Sequence, residues 1–390
     1  MNKRKIFNDP VYGFITIPYD IVYDIIQHPY FQRLRRIQQL GLSSMVYPGA
    51  THSRFHHSLG AMHLMQQALE VLKLKGVKIT QKESEAATVA ILLHDIGHAP
   101  FSHSLEYILV KNISHETISK KIIEELIPIF GETLAIALQI FNNSYKKKFL
   151  HQLVSGQLDM DRMDYLNRDS FYTGVSEGVI GYDRIINMLN VVDDNIVVEE
   201  KGIYSIEKFL IARRLMYWQV YLHKTSLVAD LMLKATVERA IAIKAIDNIS
   251  KPLAKLIENP NRKNYLKYYT LIDDIDIMYA LKIWSTNKDK ILAQLADAIL
   301  NRKLFHLSYE SEQVAEQQYL ALKQQYSKES FPYLVYAGST QNNAYNPSKE
   351  TIKILKKDGS IVPISEYSKE WNLQSITQTI TKHYIAYPKK

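Results

Sequence analysis

The chain has 390 residues, of which 46% are hydrophobic and 23% charged, a composition typical of a folded protein with a substantial core. This composition excludes a disordered chain, a collagen-like repeat and a coiled-coil rod as the main architecture. Lys and Arg number 48 against 40 Asp and Glu, a formal charge of +8, which favours anionic partners such as nucleotides or nucleic acid. Cysteine is absent, so disulfides and thiolate nucleophiles are excluded and any metal needs His and carboxylate ligands.

The amino terminus is basic, but no apolar signal core follows it in the sequence. No uncharged apolar run reaches the ~18 residues that a membrane-spanning helix requires. We therefore expect a cytoplasmic protein that makes no contact with a membrane.

Helical periodicity dominates about the first 300 residues. Residues 19–40 place apolar side chains at helical spacing, opposite an arginine-rich face. Residues 80–83 (TQKE) form a capping-box pattern that begins another helix, and the apolar segment 86–93 follows directly. We predict further helices over residues 116–130, 131–141 and 206–243.

Short alternating segments predict a few β-strands. Residues 195–206 alternate around Lys201-Gly202, and residues 351–364 alternate around Asp358-Gly359, so each segment is typical of a hairpin. Residues 383–387 could add one more strand.

The sequence therefore predicts a mainly α protein. We expect a helical body over residues 1–315 and a small α/β lobe over residues 316–390.

The segment HDIGHAPFSH, residues 94–103, concentrates three histidines and one aspartate at the end of an apolar helix. Gly97 and Pro100 predict a turn at this point, and His98 follows His94 by about one helical turn. Burying these groups together costs desolvation energy that core packing does not require. The segment therefore indicates a functional site rather than scaffold.

Two other segments offer further ligands for a metal. One contains His57 in residues 54–58 (RFHHS), and the other is residues 159–165 (DMDRMDY), whose alternate carboxylates leave the choice of ligand open. For His52 and His56 a structural role is favoured. Two histidines with two carboxylates suit Fe, Mn, Zn, Ni or Co and leave coordination positions for water and phosphate oxygens.

Taken in order, these motifs resemble the deoxynucleoside triphosphate triphosphohydrolase branch of the HD-domain superfamily of metal-dependent phosphohydrolases. The sequence is similar to the catalytic core of the vertebrate member that carries an added SAM domain. The resemblance implies an HD-domain helical core with a small C-terminal α/β lobe. The matching segments are residues 9–13, 31–41, 47–60, 94–103, 115–116, 161–169 and 221–224.

The resemblance implies a divalent transition metal bound by His57, His94, Asp95 and Asp161. It also allows Mg²⁺ to accompany the substrate phosphates. These four residues come from three separate segments of the chain, so the fold would have to bring them together.

The resemblance places three histidines, His98, His103 and His115, around the α-phosphate of the substrate. Among them, His103 is our candidate general acid for the leaving 5′-oxygen, since an imidazole can change protonation near neutral pH. Relatives orient this histidine with an aspartate three residues later, where this chain has Glu106. We therefore count Glu106 with the catalytic residues.

The resemblance also implies a set of substrate contacts. Cationic side chains would hold the triphosphate, and a tight wall beneath the sugar would exclude a 2′-hydroxyl. The residues expected at the phosphates are Arg54, Arg162 and Lys224, those facing the sugar are Gln39, Leu40, Tyr165 and Asp169, and Tyr221 is expected near the sugar and base.

The implied activity is metal-dependent hydrolysis of deoxynucleoside triphosphates to a deoxynucleoside and inorganic triphosphate. One alternative is an HD phosphohydrolase acting on a nucleoside monophosphate, a cyclic nucleotide or a guanosine alarmone. The other is a nucleic-acid-binding or regulatory assembly protein, which the positive charge supports weakly. The predicted phosphate-binding cations favour a triphosphate, because a monophosphate needs fewer of them. The lysines at 146–148 are more typical of a solvated charge run than of a nucleic-acid contact.

Assembly is a further expectation from the resemblance. Members of the family work as dimers or tetramers, so we expect a homo-oligomer. A surface around Gln32 and Arg35 could bind a nucleotide between subunits.

Overall fold

The computed structural model describes residues 5–342, 345, 350–367 and 378–389. Within these residues the α-helices are α1 (Asp20–Gln27), α2 (Pro29–Gln32), α3 (Arg54–Leu74), α4 (Gln81–Leu93), α5 (His115–Phe130), α6 (Glu132–Phe141), α7 (Lys148–Val154), α8 (Met160–Thr173), α9 (Tyr182–Met188), α10 (Ile203–Met216), α11 (Lys224–Ile243), α12 (Lys251–Glu258), α13 (Leu266–Tyr269), α14 (Asp274–Trp284), α15 (Lys290–Leu300), α16 (Glu312–Gln325), α17 (Phe331–Leu334) and α18 (Ile364–Tyr367). The strands are β1 (Ile6–Asp9), β2 (Gly13–Thr16), β3 (Leu189–Val192), β4 (Asn195–Glu199), β5 (His306–Glu310), β6 (Tyr336–Asn342), β7 (Lys353–Leu355), β8 (Ile361–Pro363) and β9 (Ile380–Tyr387).

Helix α3 is the central element of the helical body. It packs along α4 on one side and along α8 on another, and most of its residues are buried. This packing brings the first turn of α3, the last turn of α4 and the first turn of α8 to one place. The three segments that carry the candidate ligands are therefore neighbours in the fold.

Helix α4 begins as the sequence predicts. The Thr80 hydroxyl accepts the backbone N–H of Glu83 at 3.2 Å, and the Glu83 carboxylate accepts the backbone N–H of Thr80 at 2.9 Å. Two of the N–H groups that a helix start leaves without partners are thus satisfied reciprocally. The capping box and the helix that follows it are confirmed.

Glu83 also binds the side chains of Lys147 (2.6 Å) and Tyr145 (2.9 Å), so Lys147 is an ion-pair partner rather than a solvated charge. Burial raises the pKa of Glu83, but Lys147 and the capping bond outweigh it and lower this pKa to about 2. A depressed carboxyl pKa stabilises the fold above its unfolded value near 4.5, and this stabilisation is lost as the pH falls toward 2.

We predict that Glu83→Gln unfolds at a lower temperature than the wild type at neutral pH. The gap between the two melting curves should narrow as the pH falls from about 4.5 to about 2, because the wild-type carboxylate becomes protonated. Thermal unfolding followed by circular dichroism across this range measures the gap. Glu85→Gln, two residues further along α4 and only partly buried, is the control and should show no such trend. A gap that stays constant with pH would contradict the role of the Glu83 charge.

The segment 19–40 forms several short helical elements instead of one helix. Helix α1 ends at Gln27, and His28 takes an extended conformation (φ −66°, ψ 139°) before Pro29 opens α2. The steric clash of a proline ring with the preceding residue disfavours helical geometry there. A 3₁₀ turn at Arg33–Arg36 then ends the helical stretch before residue 40.

Helices α5 and α6 confirm the segments predicted at 116–130 and 131–141. The stretch predicted at 206–243 is divided in two. Helix α10 passes into a π-helical turn at Tyr217–Tyr221, and α11 begins at Lys224. The His223 ring accepts the backbone N–H of Thr225 at 3.2 Å, so His223 caps the new helix. The apolar periodicity continues across this break and does not reveal it.

The hairpin predicted over residues 195–206 is wrong in its position. Strands β3 and β4 do form an antiparallel hairpin, but its turn is Asp193-Asp194, where both residues have positive φ (48° and 58°). Such a turn matches the right-handed twist of the strands, and Asp tolerates the left-handed conformation. Lys201-Gly202 lies instead in a 3₁₀ turn that leads into α10.

The strands predicted near the C-terminus are confirmed. Strands β7 and β8 pair around Asp358-Gly359, and β9 contains residues 383–387. One sheet has the order β3-β4-β7-β8, with β4 and β7 parallel, and another has the order β5-β9-β6. A mainly α fold with small sheets toward the C-terminus is therefore confirmed, whereas the division at residue 315 stays a prediction.

No helix in the described segments is both long enough and apolar enough to cross a bilayer.

Candidate metal centre and active site

Three candidate metal ligands converge at the junction of α3, α4 and α8. The Asp161 carboxylate lies 3.1 Å from His57 Nε2 and 3.5 Å from His94 Nε2. The two imidazole nitrogens are 3.3 Å apart. Asp95 adjoins this group, with one carboxylate oxygen 3.3 Å from His94 Nε2 and the other 3.6 Å from His57 Nε2. The four residues expected from the resemblance are thus neighbours in the fold.

The backbone after α4 turns tightly to hold this arrangement. His94 is the C-cap residue of α4, and the chain then passes close to the start of α5. A Cβ atom at Gly97 would lie only 2.3 Å from His115 O and from Ser119 N. Only glycine fits this approach. The Gly97 N–H donates to the Ser119 hydroxyl at 2.9 Å, which fixes the turn.

The donor set fits a single transition metal ion. His57 Nδ1 donates to Asp164 at 2.7 Å, and His94 Nδ1 donates to the Ile91 carbonyl at 2.6 Å. Each of these bonds holds a proton on Nδ1, so Nε2 is the ring nitrogen that can bind a metal, and both Nε2 atoms lie close to Asp161. Two imidazole nitrogens and carboxylate oxygens suit Fe, Mn, Zn, Ni or Co, and a second hydrogen bond to each histidine is typical of metal sites.

Without a metal, the charges at this centre compensate one another. Burial lowers the pKa of His57, but hydrogen bonds to Asp161 and Asp164 outweigh it and raise this pKa to about 10. Burial would raise the pKa of Asp95, but the Arg54 guanidinium and the neighbouring imidazoles hold it well below its usual value. A metal must displace the proton from His57, so metal binding should release protons.

A buried chain of charged side chains extends from His57 to Asp9, the last residue of β1. The Asp164 carboxylate accepts from His57 and from Arg168 Nε at 2.9 Å, and Arg168 Nη1 donates to Asp9 at 2.7 Å. All four side chains are almost completely inaccessible. Gly60 leaves room for them, because a Cβ there would lie 1.9 Å from an Asp164 oxygen. This network was not predicted from the sequence.

We predict that Asp164→Asn weakens metal binding about 10–100-fold, because the amide no longer provides the charge that orients and polarises His57. Metal affinity can be measured by competition with a chromophoric chelator. Asp183→Asn, an exposed aspartate on α9, is the matched control and should bind metal as the wild type does. An unchanged affinity in Asp164→Asn would show that this carboxylate only supports the fold.

Three histidines form a second cluster beside the metal-ligand candidates. The rings of His98 and His115 are 3.9 Å apart, and the His103 ring is 5.0 Å from the first and 5.2 Å from the second. Glu106 connects two of them, because one oxygen accepts from His103 Nδ1 at 3.0 Å and the other from His115 Nδ1 at 2.7 Å. The longer side chain of glutamate therefore reaches both rings.

The three imidazoles differ in environment. His98 is buried, and burial together with the Arg54 guanidinium lowers its pKa well below the usual value. Its Nε2 has no hydrogen-bond partner in the described part of the chain. The side chain of His103 is 67% exposed, compared with 19% for His115. His103 is thus the most accessible of the three to an incoming ligand.

An open cavity of about 490 Å³ lies against these two clusters. His94, Asp95 and Asp161 form part of its lining, and His115 forms another part. The rest of the lining includes Lys120 of α5, Phe141 at the end of α6 with Asn142 and Asn143 after it, and His151 of α7. The cavity has the size of a small-molecule site.

Two predicted phosphate-binding arginines lie at the edges of the metal-ligand group. Arg54 pairs with Asp95 and donates from Nε to the Ser102 hydroxyl at 2.8 Å. Arg162 pairs with Asp159 and also donates to the Gly156 carbonyl. Both guanidinium groups therefore have acceptors of their own in the chain.

Three of the predicted nucleoside contacts lie together, with the partly buried Tyr165 and Tyr221 beside the buried Asp169. The Tyr221 hydroxyl donates to one Asp169 oxygen at 2.8 Å, and His52 Nε2 donates to the other at 2.7 Å. Tyr165 lies edge-on to Tyr221 with their ring centroids 6.1 Å apart. His52 thus has a structural partner, as favoured from the sequence.

Gln39 and Leu40 are only partly buried. The Gln39 side-chain oxygen is inaccessible and has no partner among the described residues, and the Gln39 N–H donates to the His52 carbonyl at 3.0 Å. These two residues therefore lie beside the group of Asp169 and Tyr221, on the segment that precedes α3.

Lys224 lines another cavity, of about 250 Å³, together with Arg302, His306 and Lys389.

A further cation, which no motif in the sequence marked, lies near the predicted site. Burial lowers the pKa of Arg162, and the neighbouring Arg213 guanidinium lowers it further. Arg213 stands eight residues before Tyr221, on α10, and no motif marked it in the sequence.

Comparison with known proteins identifies the family. The HD domain matches residues 54–169, and the HD associated region matches residues 180–330. The crystal structure of a phosphohydrolase from Bacteroides thetaiotaomicron has a TM-score of 0.93 and 47% sequence identity, covering 99% of this chain and 100% of that one. The uncharacterized protein YwfO of Bacillus subtilis is 31% identical over 100% of this chain and 93% of its own length.

A relative whose name states an activity matches a smaller part of the chain. The deoxynucleoside triphosphate triphosphohydrolase SAMHD1 homolog of Dictyostelium discoideum is 32% identical over 64% of this chain and 52% of its own length. The chain thus spans about half the length of that relative. The helical core and the histidine–aspartate cluster, with these matches, define the class as HD-domain proteins. The chain belongs to the HD phosphohydrolase family.

Proposed function

We propose that the protein is a metal-dependent hydrolase that converts deoxynucleoside triphosphates to deoxynucleosides and inorganic triphosphate. One observation carries the proposal. The N/O ligand group of His57, His94 and Asp161 lies against the same cavity as His115, whose ring adjoins His98 and His103. A phosphate bound at the metal would have imidazole groups within reach. The activity of the SAMHD1 homolog supports the choice of substrate.

The chain's own residues divide the chemistry as follows. His57, His94, Asp95 and Asp161 would hold the metal. When bound, the metal lowers the pKa of water and offsets charge on phosphoryl oxygens.

The second cluster would handle the proton. His103 would give a proton to the leaving 5′-oxygen, and Glu106 holds Nδ1 of that ring so that Nε2 can face the substrate. His98 and His115 would flank the α-phosphate.

Permanent positive charge would hold the remaining phosphates. In this proposal Arg54, Arg162 and Lys224 contact the triphosphate, and Arg213, whose guanidinium neighbours Arg162, adds a further cation. Guanidinium groups suit this task because they stay charged and bind phosphate oxygens in pairs.

The nucleoside would lie against a wall formed by the residues around Asp169. Tyr165, Asp169 and Tyr221, with Gln39 and Leu40 beside them, would contact the sugar and exclude a 2′-hydroxyl. The hydrogen bonds from Tyr221 and His52 hold the Asp169 carboxylate in one orientation. A homo-oligomer and a nucleotide near Gln32 and Arg35 remain predictions from the resemblance, and a cytoplasmic location remains a prediction from the sequence.

Product analysis tests the proposal. Protein loaded separately with Fe, Mn, Zn, Ni or Co is incubated with each dNTP and NTP, singly and mixed, and the products are resolved by anion-exchange chromatography. Release of inorganic triphosphate from dNTPs, with little from NTPs, is expected. Faster turnover in mixtures than with single nucleotides would reveal an activator.

Other products would contradict the proposal. Orthophosphate or pyrophosphate release, or activity confined to nucleoside monophosphates, cyclic nucleotides or guanosine alarmones, would replace it with another HD hydrolase activity. A protein that binds nucleic acid but hydrolyses none of these compounds would replace it with a binding function.

A further inference from the structure

The loop between His98 and His103 has a costly backbone conformation. Phe101 and Ser102 are consecutive residues with positive φ (54° and 57°). This left-handed region is unfavourable for residues that carry a Cβ atom. Such a conformation persists only where its surroundings determine it, and it is enriched at functional sites. Something in the fold must therefore hold these two residues.

Asp274, at the start of α14, provides that hold. One oxygen of its carboxylate accepts the Phe101 N–H at 2.7 Å, and the other accepts the Gln38 N–H at 2.8 Å. The Asp274 side chain is buried, and burial raises its pKa to about 7. A buried carboxylate is costly unless it is well bonded, so these two bonds account for its presence.

The same loop contacts the predicted active site directly. The Ser102 hydroxyl donates to the Gln38 carbonyl at 2.7 Å and accepts from Arg54 Nε at 2.8 Å. Asp274 therefore holds two segments in place relative to each other. One is the loop that leads into His103, and the other is the segment that leads into Gln39.

The neighbouring helix α13 and the chain after it support the other end of the loop. The Tyr269 hydroxyl donates to the Gly97 carbonyl at 2.9 Å. Arg33 donates to the His98 carbonyl at 2.9 Å and to the Ile272 carbonyl at 2.6 Å. The segment 266–274 thus holds the loop at both ends, and Asp274 is its charged contact.

We propose that Asp274 is a positioning residue for catalysis, which keeps Phe101 and Ser102 in the left-handed conformation and so directs His103 toward the leaving group. This inference rests on the proposed function. Asp274 acts only through the backbone: its carboxylate accepts from Phe101 and Gln38, and neither residue is a metal-ligand candidate.

Asp274→Asn tests the proposal with almost no change in shape. An amide offers one acceptor oxygen and an NH₂ group, so one of the two backbone N–H groups loses its partner. Asp276→Asn is the matched control. It removes the same charge from the first turn of α14, but among the described residues the Asp276 carboxylate accepts only the Asp273 N–H, within the cap of the same helix.

We expect Asp274→Asn to lower kcat about 10-fold or more and to leave KM within about 2-fold of the wild-type value. This pattern is expected when a variant loses an interaction that acts in the transition state. Amide hydrogen exchange in residues 98–105 should accelerate in this variant, and Asp276→Asn should match the wild type in both measurements. The kcat loss should shrink with the p-nitrophenyl ester of triphosphate, whose leaving group needs no proton. Unchanged exchange in residues 98–105, or a loss confined to KM, would overturn the proposal.

A second variant covers the case in which Asp274→Asn does not fold. Asp274→Glu keeps both acceptor oxygens and is expected to lower kcat by a smaller factor with KM unchanged. A loss in KM alone would again overturn the proposal. Hydrogen exchange needs no substrate, so it tests the inference separately. A wild-type protein that releases no triphosphate from any dNTP contradicts the proposed function instead.

Discussion

Asp161→Ala is expected to abolish metal binding and hydrolysis together while the protein stays folded. The Asp161 carboxylate lies near Nε2 of both candidate imidazole ligands, at 3.1 Å from His57 and 3.5 Å from His94. Losing a ligand should weaken binding by at least the roughly 10–100-fold that outer partners of metal ligands typically contribute. The side chain is 29% exposed, so its removal leaves little buried space and the fold should survive.

The measurement is metal content per chain after loading and gel filtration, with circular dichroism as the test of folding. Asp161 is a better choice than Asp95, because alanine at Asp95 would also leave the buried Arg54 guanidinium without its partner. Asp183→Ala, on the exposed face of α9, is the control and should retain metal and activity. Full metal occupancy in Asp161→Ala would remove Asp161 from the ligand set.

The sequence was sufficient to predict features that depend on local pattern. The capping box at Thr80 and the turn at Asp358-Gly359 were predicted because a few adjacent residues determine each structure. The histidine–aspartate segment 94–103 was also visible, because so many ligand-type side chains are rarely placed together in a core.

Features that depend on distant residues could not be predicted. Asp164, Arg168 and Asp9 are bonded across 159 positions of the chain, and nothing in their local sequence indicates that they support His57. Asp274 contacts Phe101 across 173 positions. The hairpin was misplaced for a different reason. Gly202 gave the stronger turn signal in the sequence, but a glycine stands there because close packing against Met188 leaves no room for a side chain.

Substitution of His103 by alanine should separate proton transfer from binding. A general acid contributes about 10²–10⁴-fold to the rate, so His103→Ala should lower kcat by a factor in this range with a modest change in KM. Its ring is the most exposed of the three histidines and is held at Nδ1 by Glu106 at 3.0 Å. Steady-state kinetics with the preferred dNTP measures the loss, and His383→Ala on β9 is the control.

The rival for the acid role is His115, because Glu106 holds its Nδ1 in the same way, at 2.7 Å. The p-nitrophenyl ester of triphosphate distinguishes them, since its leaving group departs without a proton. This substrate should restore most of the rate to the variant that has lost the acid and leave the other impaired. Rescue of His115→Ala instead of His103→Ala would transfer the role to His115. Glu106→Gln should impair both histidines, because the amide can accept from only one ring nitrogen, and its loss should then be only partly rescued.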